Sequence, residues 1–189
     1  MTGSSRRRLL LHACCAPCGT HPFTVVREEF DVTVYFDNPN IFPESEYRAR
    51  LEEIRMLGRR WGFPVESAEY DAAAWRDAVR GLEDEPEGGK RCAVCFRFRL
   101  ERTARRASVL GMDAFTTTLT VSPHKNAALI NRIGSETGFS AGVAFFTADF
   151  KKQDGFRKSC ELSRAAGLYR QSYCGCEFSL REAESGRSE

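Results

Sequence analysis

Short apolar runs alternate with longer amphipathic segments along this chain. Runs rich in β-branched and aromatic residues are typical of strands, and apolar residues recurring at three or four positions are typical of helices. The strongest helix pattern covers 44–61, where Tyr47, Leu51, Ile54 and Leu57 share one face. Strands are predicted at 8–13, 32–36, 64–70, 114–121 and 142–147, and helices at 22–30, 44–61, 72–81, 92–110, 155–166 and, after Ser122-Pro123, up to about 137.

This alternation predicts an α/β fold with a parallel sheet covered by helices on both faces. We expect one domain over 8–180, with flexible tails at 1–7 and 181–189. Ligands of such folds bind at the carboxyl ends of the strands. The segments that follow the first, second and fourth predicted strands are therefore candidates for a site, and they are Cys14-Cys15, Asn38-Pro39-Asn40 and Ser122-Pro123-His124-Lys125.

The composition is that of an ordinary globular protein and does not identify a binding partner. Apolar residues make up 42% and charged residues 29% of the chain, as in ordinary globular proteins, and the net charge of +2 gives no global basic field for nucleic acid. The apolar run after the arginines at 6–8 is too short for a signal peptide, and no apolar segment is long enough to span a membrane. We therefore expect a cytoplasmic protein with reduced thiols, whose eight cysteines serve a metal or catalysis.

Seven of the eight cysteines fall into three compact groups. The first group follows a predicted strand, the second opens a predicted helix where the helix dipole favours thiolates, and the third is split by a glycine. Thiolates are ligands of zinc and of iron–sulfur clusters, so we interpret these groups as metal ligands. The remaining cysteine, Cys160, stands alone and is interpreted as a small core residue. The groups are Cys14-Cys15-Ala16-Pro17-Cys18, Cys92-Ala93-Val94-Cys95 and Cys174-Gly175-Cys176.

The number of thiols favours more than one metal. A structural zinc site closes with four ligands, which the second and third groups alone would supply. Neighbouring side chains such as Cys14 and Cys15 diverge, so they suit two adjacent metals better than one zinc. A four-iron cluster beside a second metal accounts for seven thiols, although zinc stays open at this point. The chain lacks the glycine-rich dinucleotide and phosphate loops, which argues against NAD or ATP as a tightly bound cofactor.

Long motifs throughout the chain resemble the QueH-type epoxyqueuosine reductases, from about 8 to 180. The resemblance implies an iron–sulfur enzyme that removes the epoxide oxygen of epoxyqueuosine at the tRNA wobble base, giving queuosine. It also implies a Rossmann-like fold similar to the nucleotide α-hydrolase group that includes the ATP pyrophosphatases. The motifs are HACCAPC at 12–18, NPNI at 38–41, EGGKRCAVC at 87–95, FTTTL at 115–119, SPHK at 122–125, DFKK at 149–152 and GLYRQSYCGC at 167–176.

The resemblance assigns ligand roles to six cysteines, and the thiol count adds Cys18. We expect a 4Fe-4S cluster and an additional mononuclear iron, with tRNA and an electron donor as partners. The sequence does not identify that donor. The cysteines that the resemblance assigns to the metal site are Cys14, Cys15, Cys92, Cys95, Cys174 and Cys176.

Reduction of an epoxide to an alkene requires two electrons and two protons. An open iron could polarise the epoxide oxygen as a Lewis acid, and a positioned acid would protonate the leaving oxygen. We predict that Asp71 or Asp37, both near strand ends, is this acid or an extra ligand. The alternative for both carboxylates is a role in a turn or as a helix N-cap.

Basic and aromatic residues near the predicted strand ends are candidates for RNA contacts. Tyr169 and Tyr173 could stack on a splayed anticodon base or pack in the core, and the arginines between 97 and 106 could contact RNA or solvent. His12 is predicted to be packed and hydrogen-bonded, and His124 to cap a helix. The cations predicted to contact tRNA phosphates, rather than solvent alone, are Lys125, Lys151, Lys152 and Arg170.

Two other functions fit the same motifs. A zinc-binding tRNA module would use the cysteines without catalysis. A sulfur-transfer enzyme would use a cluster and a cysteine persulfide to thiolate tRNA. Metal identity separates the first alternative from a reductase, and the modified nucleoside separates the second.

Overall fold

The structure, a computed structural model, describes residues 6–185. Five parallel strands form one sheet in the order β3-β2-β1-β4-β5. This sheet confirms the predicted parallel α/β fold. The strands are β1 (Arg7–His12), β2 (Phe30–Phe36), β3 (Val65–Ser67), β4 (Ala114–Thr117) and β5 (Ala144–Phe145).

Helices connect the strands and cover both faces of the sheet. Within the described part of the chain they are α1 (Ala16–Val26), α2 (Glu44–Trp61), α3 (Ala72–Ala78), α4 (Lys90–Val109), α5 (Ala127–Ala141), α6 (Gly155–Ala165) and α7 (Glu177–Ser185), with a 3-10 turn at Thr118–Val121. None of these helices combines the length and the apolar character that crossing a membrane requires.

The central strand β1 contributes side chains to the two core clusters, one on each face of the sheet. Leu9, Leu10 and Leu11 are fully buried. Successive side chains of a strand point to opposite faces, so Leu9 and Leu11 pack in one cluster with Phe36 and Ile54, whereas Leu10 packs in the other. A run of three leucines therefore fits a strand that is covered on both sides.

The bounds of several elements differ from those predicted. Helix α1 begins at Ala16 and not at Pro22, because the Cys15 sulfur accepts a hydrogen bond from the Cys18 amide at 3.4 Å and so caps the helix six residues earlier. The strand predicted at 114–121 ends at Thr117, whose hydroxyl accepts a hydrogen bond from the Leu119 amide at 3.2 Å and starts the 3-10 turn. The strand predicted at 64–70 is reduced to β3.

Regular elements extend into both predicted tails. Arg7 pairs with Phe30 in the sheet, and residues 181–185 belong to α7. Residues 1–5 and 186–189 lie outside the described residues.

The strand order reverses at β1, because β2 lies on one side of it and β4 on the other. In open parallel sheets the crevice for ligands opens at such a switch point, beyond the carboxyl ends of the strands. The first cysteine group directly follows β1 and therefore lies at this crevice.

Candidate metal centre

The first cysteine group converges at the end of β1. The sulfurs of Cys14, Cys15 and Cys18 all lie within 4.8 Å of one another, and those of Cys14 and Cys15 are 4.0 Å apart. We expected neighbouring cysteine side chains to diverge, and this prediction was wrong. Cys15 is the extended N-cap of α1, and Cys18 lies in the first turn of that helix, so the bend of the chain brings the sulfurs together.

One thiolate is stabilised within this trio. Hydrogen bonds from the Cys15 and Cys18 thiols hold the pKa of Cys14 well below its usual range, and Arg99 and Lys125 contribute positive charge. The hydrogen bond to Cys14 raises the pKa of Cys15 to about 12, and the pKa of Cys18 is raised as well. Binding of a metal by all three sulfurs must therefore release protons.

The second cysteine group lies in the first two turns of α4. The Gly88 amide donates a hydrogen bond to the Cys92 sulfur at 3.2 Å. Cys95 is buried in an apolar cluster with Trp75, Val79 and Cys176. Burial raises the pKa of Cys95 to about 11, and nearby Cys174 adds negative charge. The second group thus faces the third.

The third cysteine group is held by contacts with the start of α2 and the loop before it. The Gly175 carbonyl accepts a hydrogen bond from the Phe42 amide at 2.8 Å, and Arg50 donates to the Cys174 carbonyl at 3.2 Å. Gly175 has a φ of +138°, and a Cβ there would lie 3.1 Å from the Arg50 guanidinium. The glycine between these cysteines therefore permits a backbone conformation and an approach that other residues would strain.

The first and third cysteine groups border one cavity, and the second group packs against the third. Within residues 6–185, the first group is the one set of three or more potential ligand side chains that lies within 4.8 Å. A cavity of about 630 Å³ reaches Cys14 and Cys18 of the first group and Cys174 of the third. Thiolates are suitable donors for iron, and Cys14, Cys18 and Cys174 line the same cavity, so the donor set fits the predicted centre.

The same cavity contains two of the four cations predicted to contact RNA. Lys125 and Arg170 line it, and the Arg170 guanidinium lies 5.3 Å from the centre of the Phe156 ring. Burial opposes the charge of Lys125, but the negative charge of Cys174, Cys14 and Cys18 outweighs it and raises the lysine pKa.

The other two cations lie outside this cavity. Lys151 forms an ion pair with Asp149 at 3.2 Å, and its neighbour Lys152 is exposed. Of the two tyrosines predicted to stack on a base, Tyr173 lines the cavity. Tyr169 does not line it, and its side chain is 47% exposed.

Both predicted carboxylates have structural partners and neither lines the cavity. Asp71 is the N-cap of α3 and accepts a hydrogen bond from the Ala74 amide at 3.1 Å. Asp37 is buried and accepts hydrogen bonds from Arg102 at 2.6 Å and from the Tyr35 hydroxyl at 3.1 Å. The Asp71 contact favours its N-cap alternative, whereas Asp37 is held by an ion pair and is not a helix cap. The catalytic role of both carboxylates stays a prediction.

His12 agrees with its structural interpretation, whereas Cys160 is only half-buried and belongs to none of the core clusters of the described residues. His12 is fully buried, and its Nδ1 lies 2.8 Å from the Thr117 hydroxyl. Burial lowers the pKa of His12 to about 3, so the imidazole is neutral at physiological pH. Cys160 lies in α6 and is not part of the converging trio. His124 does not cap α5, whose N-cap is Asn126.

Glu87 and Gln171 were given no individual role from the sequence, and Arg99 was predicted to face RNA or solvent but is buried. Glu87 precedes the second cysteine group, Gln171 donates a hydrogen bond to the Cys15 sulfur at 3.1 Å, and Arg99 is a buried cation. Arg99 lies four residues after Cys95 in a helix, so it shares the face that carries the ligands, and this spacing could have identified it.

Comparison with known sequences finds close relatives in one family. The profile of the family described as epoxyqueuosine reductase QueH matches residues 9–182. The epoxyqueuosine reductase QueH of Streptococcus pyogenes serotype M1 is 41% identical over 184 residues, which cover 94% of this chain and 72% of the relative. That of Thermotoga maritima is 39% identical over 184 residues, which cover 96% of this chain and 94% of the relative. All three cysteine groups lie inside the matched range.

Comparison of structures supports the fold alone. The U34-tRNA thiolase NcsA from Methanococcus maripaludis, solved with its 4Fe-4S cluster, superposes with a TM-score of 0.55 at 9% sequence identity. The superposition covers 98% of this chain and 67% of the thiolase. This similarity agrees with the predicted Rossmann-like architecture.

Proposed function

The chain belongs to the epoxyqueuosine reductase QueH family, and we propose that it reduces the epoxide of epoxyqueuosine in tRNA to the alkene of queuosine. The observation that carries this proposal is the family match over 9–182, a range that includes all three cysteine groups. The protein is then an oxidoreductase of tRNA modification. We place it in the cytoplasm, where thiols stay reduced.

The reaction breaks both C–O bonds of the epoxide and forms a C=C bond. Two electrons from an external donor and two protons balance it, and the oxygen leaves as water. When bound, an iron–sulfur cluster would supply the electrons one at a time, and an adjacent iron would act as a Lewis acid on the oxygen.

The cysteines divide into two ligand sets in this proposal. The converging trio at the end of β1 would hold the additional iron, because its three sulfurs lie within 4.8 Å and leave a further position for substrate oxygen. The four cysteines of the second and third groups would hold the 4Fe-4S cluster, namely Cys92, Cys95, Cys174 and Cys176.

Charged residues of the cavity would bind the substrate and supply protons. Lys125 is held protonated by the neighbouring thiolates, so its ammonium can donate a hydrogen bond to the leaving oxygen. Glu87 lines the same cavity, where its carboxylate would accept a hydrogen bond from a hydroxyl group of the substrate. Arg170 beside Phe156 would contact a phosphate next to the bound nucleotide, and the exposed Lys152 would contact a more distant one.

The test of this function is anaerobic purification followed by metal analysis and incubation with tRNA. We expect iron and sulfide in the protein, a broad visible absorption, and queuosine in digested tRNA when a chemical reductant is added. Colourless protein with stoichiometric zinc would contradict the metal assignment. A thiolated base in place of queuosine would support sulfur transfer instead.

Single cysteine variants test the two ligand sets. We expect Cys95→Ser to lose the visible absorption, and Cys18→Ser to lose part of the iron while keeping that absorption. Cys160→Ser is the matched control, because Cys160 lies in α6 outside both sets, and it should retain iron and activity. Equal losses in Cys18→Ser and Cys95→Ser would contradict the division into two sets.

A further inference from the structure

Three arginines are among the most deeply buried side chains, and one of them has no acidic partner. Arg50 pairs with Glu46 at 2.7 Å and Arg91 with Glu182 at 3.5 Å. Arg99 is 2% exposed, and no carboxylate within residues 6–185 forms an ion pair with it. Burial of an unpaired charge costs several kcal/mol, so the folded protein is expected to provide an anion for this guanidinium.

Two arginines of α4 differ in the charge of their partners, because Arg102 has a carboxylate partner and Arg99 does not. Arg102, nearly one helical turn later, forms an ion pair with Asp37 at 2.6 Å. Arg99 instead donates to the side-chain oxygen of Asn38, the residue next to Asp37, and its Nε has no hydrogen-bond partner. Since Asn38 is a neutral amide, Arg99 keeps its full positive charge inside the protein.

The guanidinium of Arg99 lies between two of the cysteine groups. It lines the cavity together with Cys14 and Cys174. Its charge lowers the pKa of Cys14 in the first group and opposes the rise of the pKa of Cys95 in the second. Arg99 reaches this place because it follows Cys95 by one turn on the same face of α4.

We propose that Arg99 is the buried counter-charge of the metal centre and sets its reduction potential. This inference rests on the proposed function, because it requires an anionic iron–sulfur centre bound by the cysteines. Reduction adds a negative charge to that centre, and a nearby cation in a low-dielectric environment favours the reduced form. Arg99 is therefore a positioning residue for charge and does not itself react.

The test is a redox titration of the anaerobically purified protein, followed by electron paramagnetic resonance. We expect Arg99→Met to make reduction at least tenfold less favourable, which is a shift of about 59 mV to lower potential for a one-electron couple. Arg99→Lys keeps the charge and should recover most of the potential. Arg105→Met is the matched control, because it removes an exposed arginine from the same helix, and it should shift the potential far less.

A second variant covers the case in which Arg99→Met fails to bind iron. Asn38→Asp keeps the guanidinium but gives it a carboxylate, as Asp37 does for Arg102. It should also lower the potential. The proposal would be overturned if Arg99→Met or Asn38→Asp had the same reduction potential as Arg105→Met. It would also be overturned if Arg99→Met changed only the KM for tRNA, because that result would identify a substrate contact.

The titration uses no tRNA, so the two proposals fail separately. If the wild-type protein forms queuosine and the Arg99 variants have the same reduction potential as the wild type, this inference alone is contradicted. If the Arg99 variants shift the reduction potential as expected but the wild-type protein forms no queuosine, the proposed function alone is contradicted.

Discussion

Replacement of Gly155 by alanine should destabilise the fold, because α6 packs closely against α1 at this position. A Cβ on Gly155 would lie 1.8 Å from the Phe150 carbonyl oxygen and 2.8 Å from a ring carbon of His21 in α1. The carbonyl belongs to the backbone, so it cannot move aside as the end of a flexible side chain could. The perturbation bears on the metal site, since the first cysteine group lies at the start of α1.

The size of the effect follows from two opposing terms. Overpacking costs typically about 1–3 kcal/mol, and a backbone obstacle puts this contact near the upper end. Alanine has a higher helix propensity than glycine by up to ~1 kcal/mol, which offsets part of that cost. The free energy of unfolding should therefore fall by about 2 kcal/mol, which corresponds to a drop in Tm of roughly 4–8 °C for a chain of this length.

Gly19 provides the matched control on the opposing helix. It lies inside α1, its φ is not positive, and a Cβ there would meet nothing within 4 Å. Gly19→Ala should therefore stabilise the protein by about 0.5–1 kcal/mol through helix propensity. Urea unfolding followed by circular dichroism, at matched iron content, measures both variants. A Gly155→Ala protein as stable as the parent, or a Gly19→Ala protein destabilised to the same extent, would refute this account of the α1–α6 contact.

Three further predictions concern the site. Iron uptake should increase with pH, because burial raises the pKa of Cys95 to about 11 and ligation requires the thiolate; iron binding at pH 7 and pH 8 tests this, and equal affinities would contradict it. Asp71→Asn should keep the stability within about 0.5 kcal/mol because asparagine also caps helices, so reduced turnover in this folded variant would support the acid role predicted from sequence, and unchanged turnover would remove it. Lys152→Ala should weaken tRNA binding and reduce the slope of log K against log salt by about 1. Arg48→Ala, at an exposed arginine of α2, is the control, and a filter-binding series that gives parallel lines for Lys152→Ala and the parent would exclude a phosphate contact.

The fold was predictable where local pattern and tertiary environment agree. The 18-residue helix α2 occupies the range that its apolar spacing predicts, and it ends at Gly62, whose φ is +75°. The start of α1 was not predictable from the same pattern, because a cysteine served as N-cap and Pro22 resembled a helix start while lying inside one. The order of strands was also out of reach, since β4 pairs with β1 through contacts far apart in sequence.

The grouping of the cysteines is visible in the sequence, and so many closely spaced cysteines in a chain without disulfides are typical of a metal site. Their geometry was not predictable, since only the turn after β1 and the cap at Cys15 determine that neighbouring sulfurs converge. The sequence also offered Asp71 or Asp37 as the acid or an extra ligand, because both lie near predicted strand ends. The ion pair between Asp37 and Arg102 joins residues 65 positions apart, so it could not be predicted from the position of Asp37 after a strand.

The charges of a site are harder to predict than its donors, and the end of β2 shows why. Asp37 and Asn38 are neighbours in the chain, and each receives one arginine from the same helix. The two pairs look alike in sequence, but an ion pair cancels its charge, whereas an arginine paired with an amide keeps it. The carboxylate of Asp37 thus neutralises Arg102, whereas the amide of Asn38 leaves Arg99 as a buried cation beside the cysteines. Function at this site depends on that difference as much as on the sulfurs, because the same ligands beside a neutralised Arg99 would hold a centre that is harder to reduce.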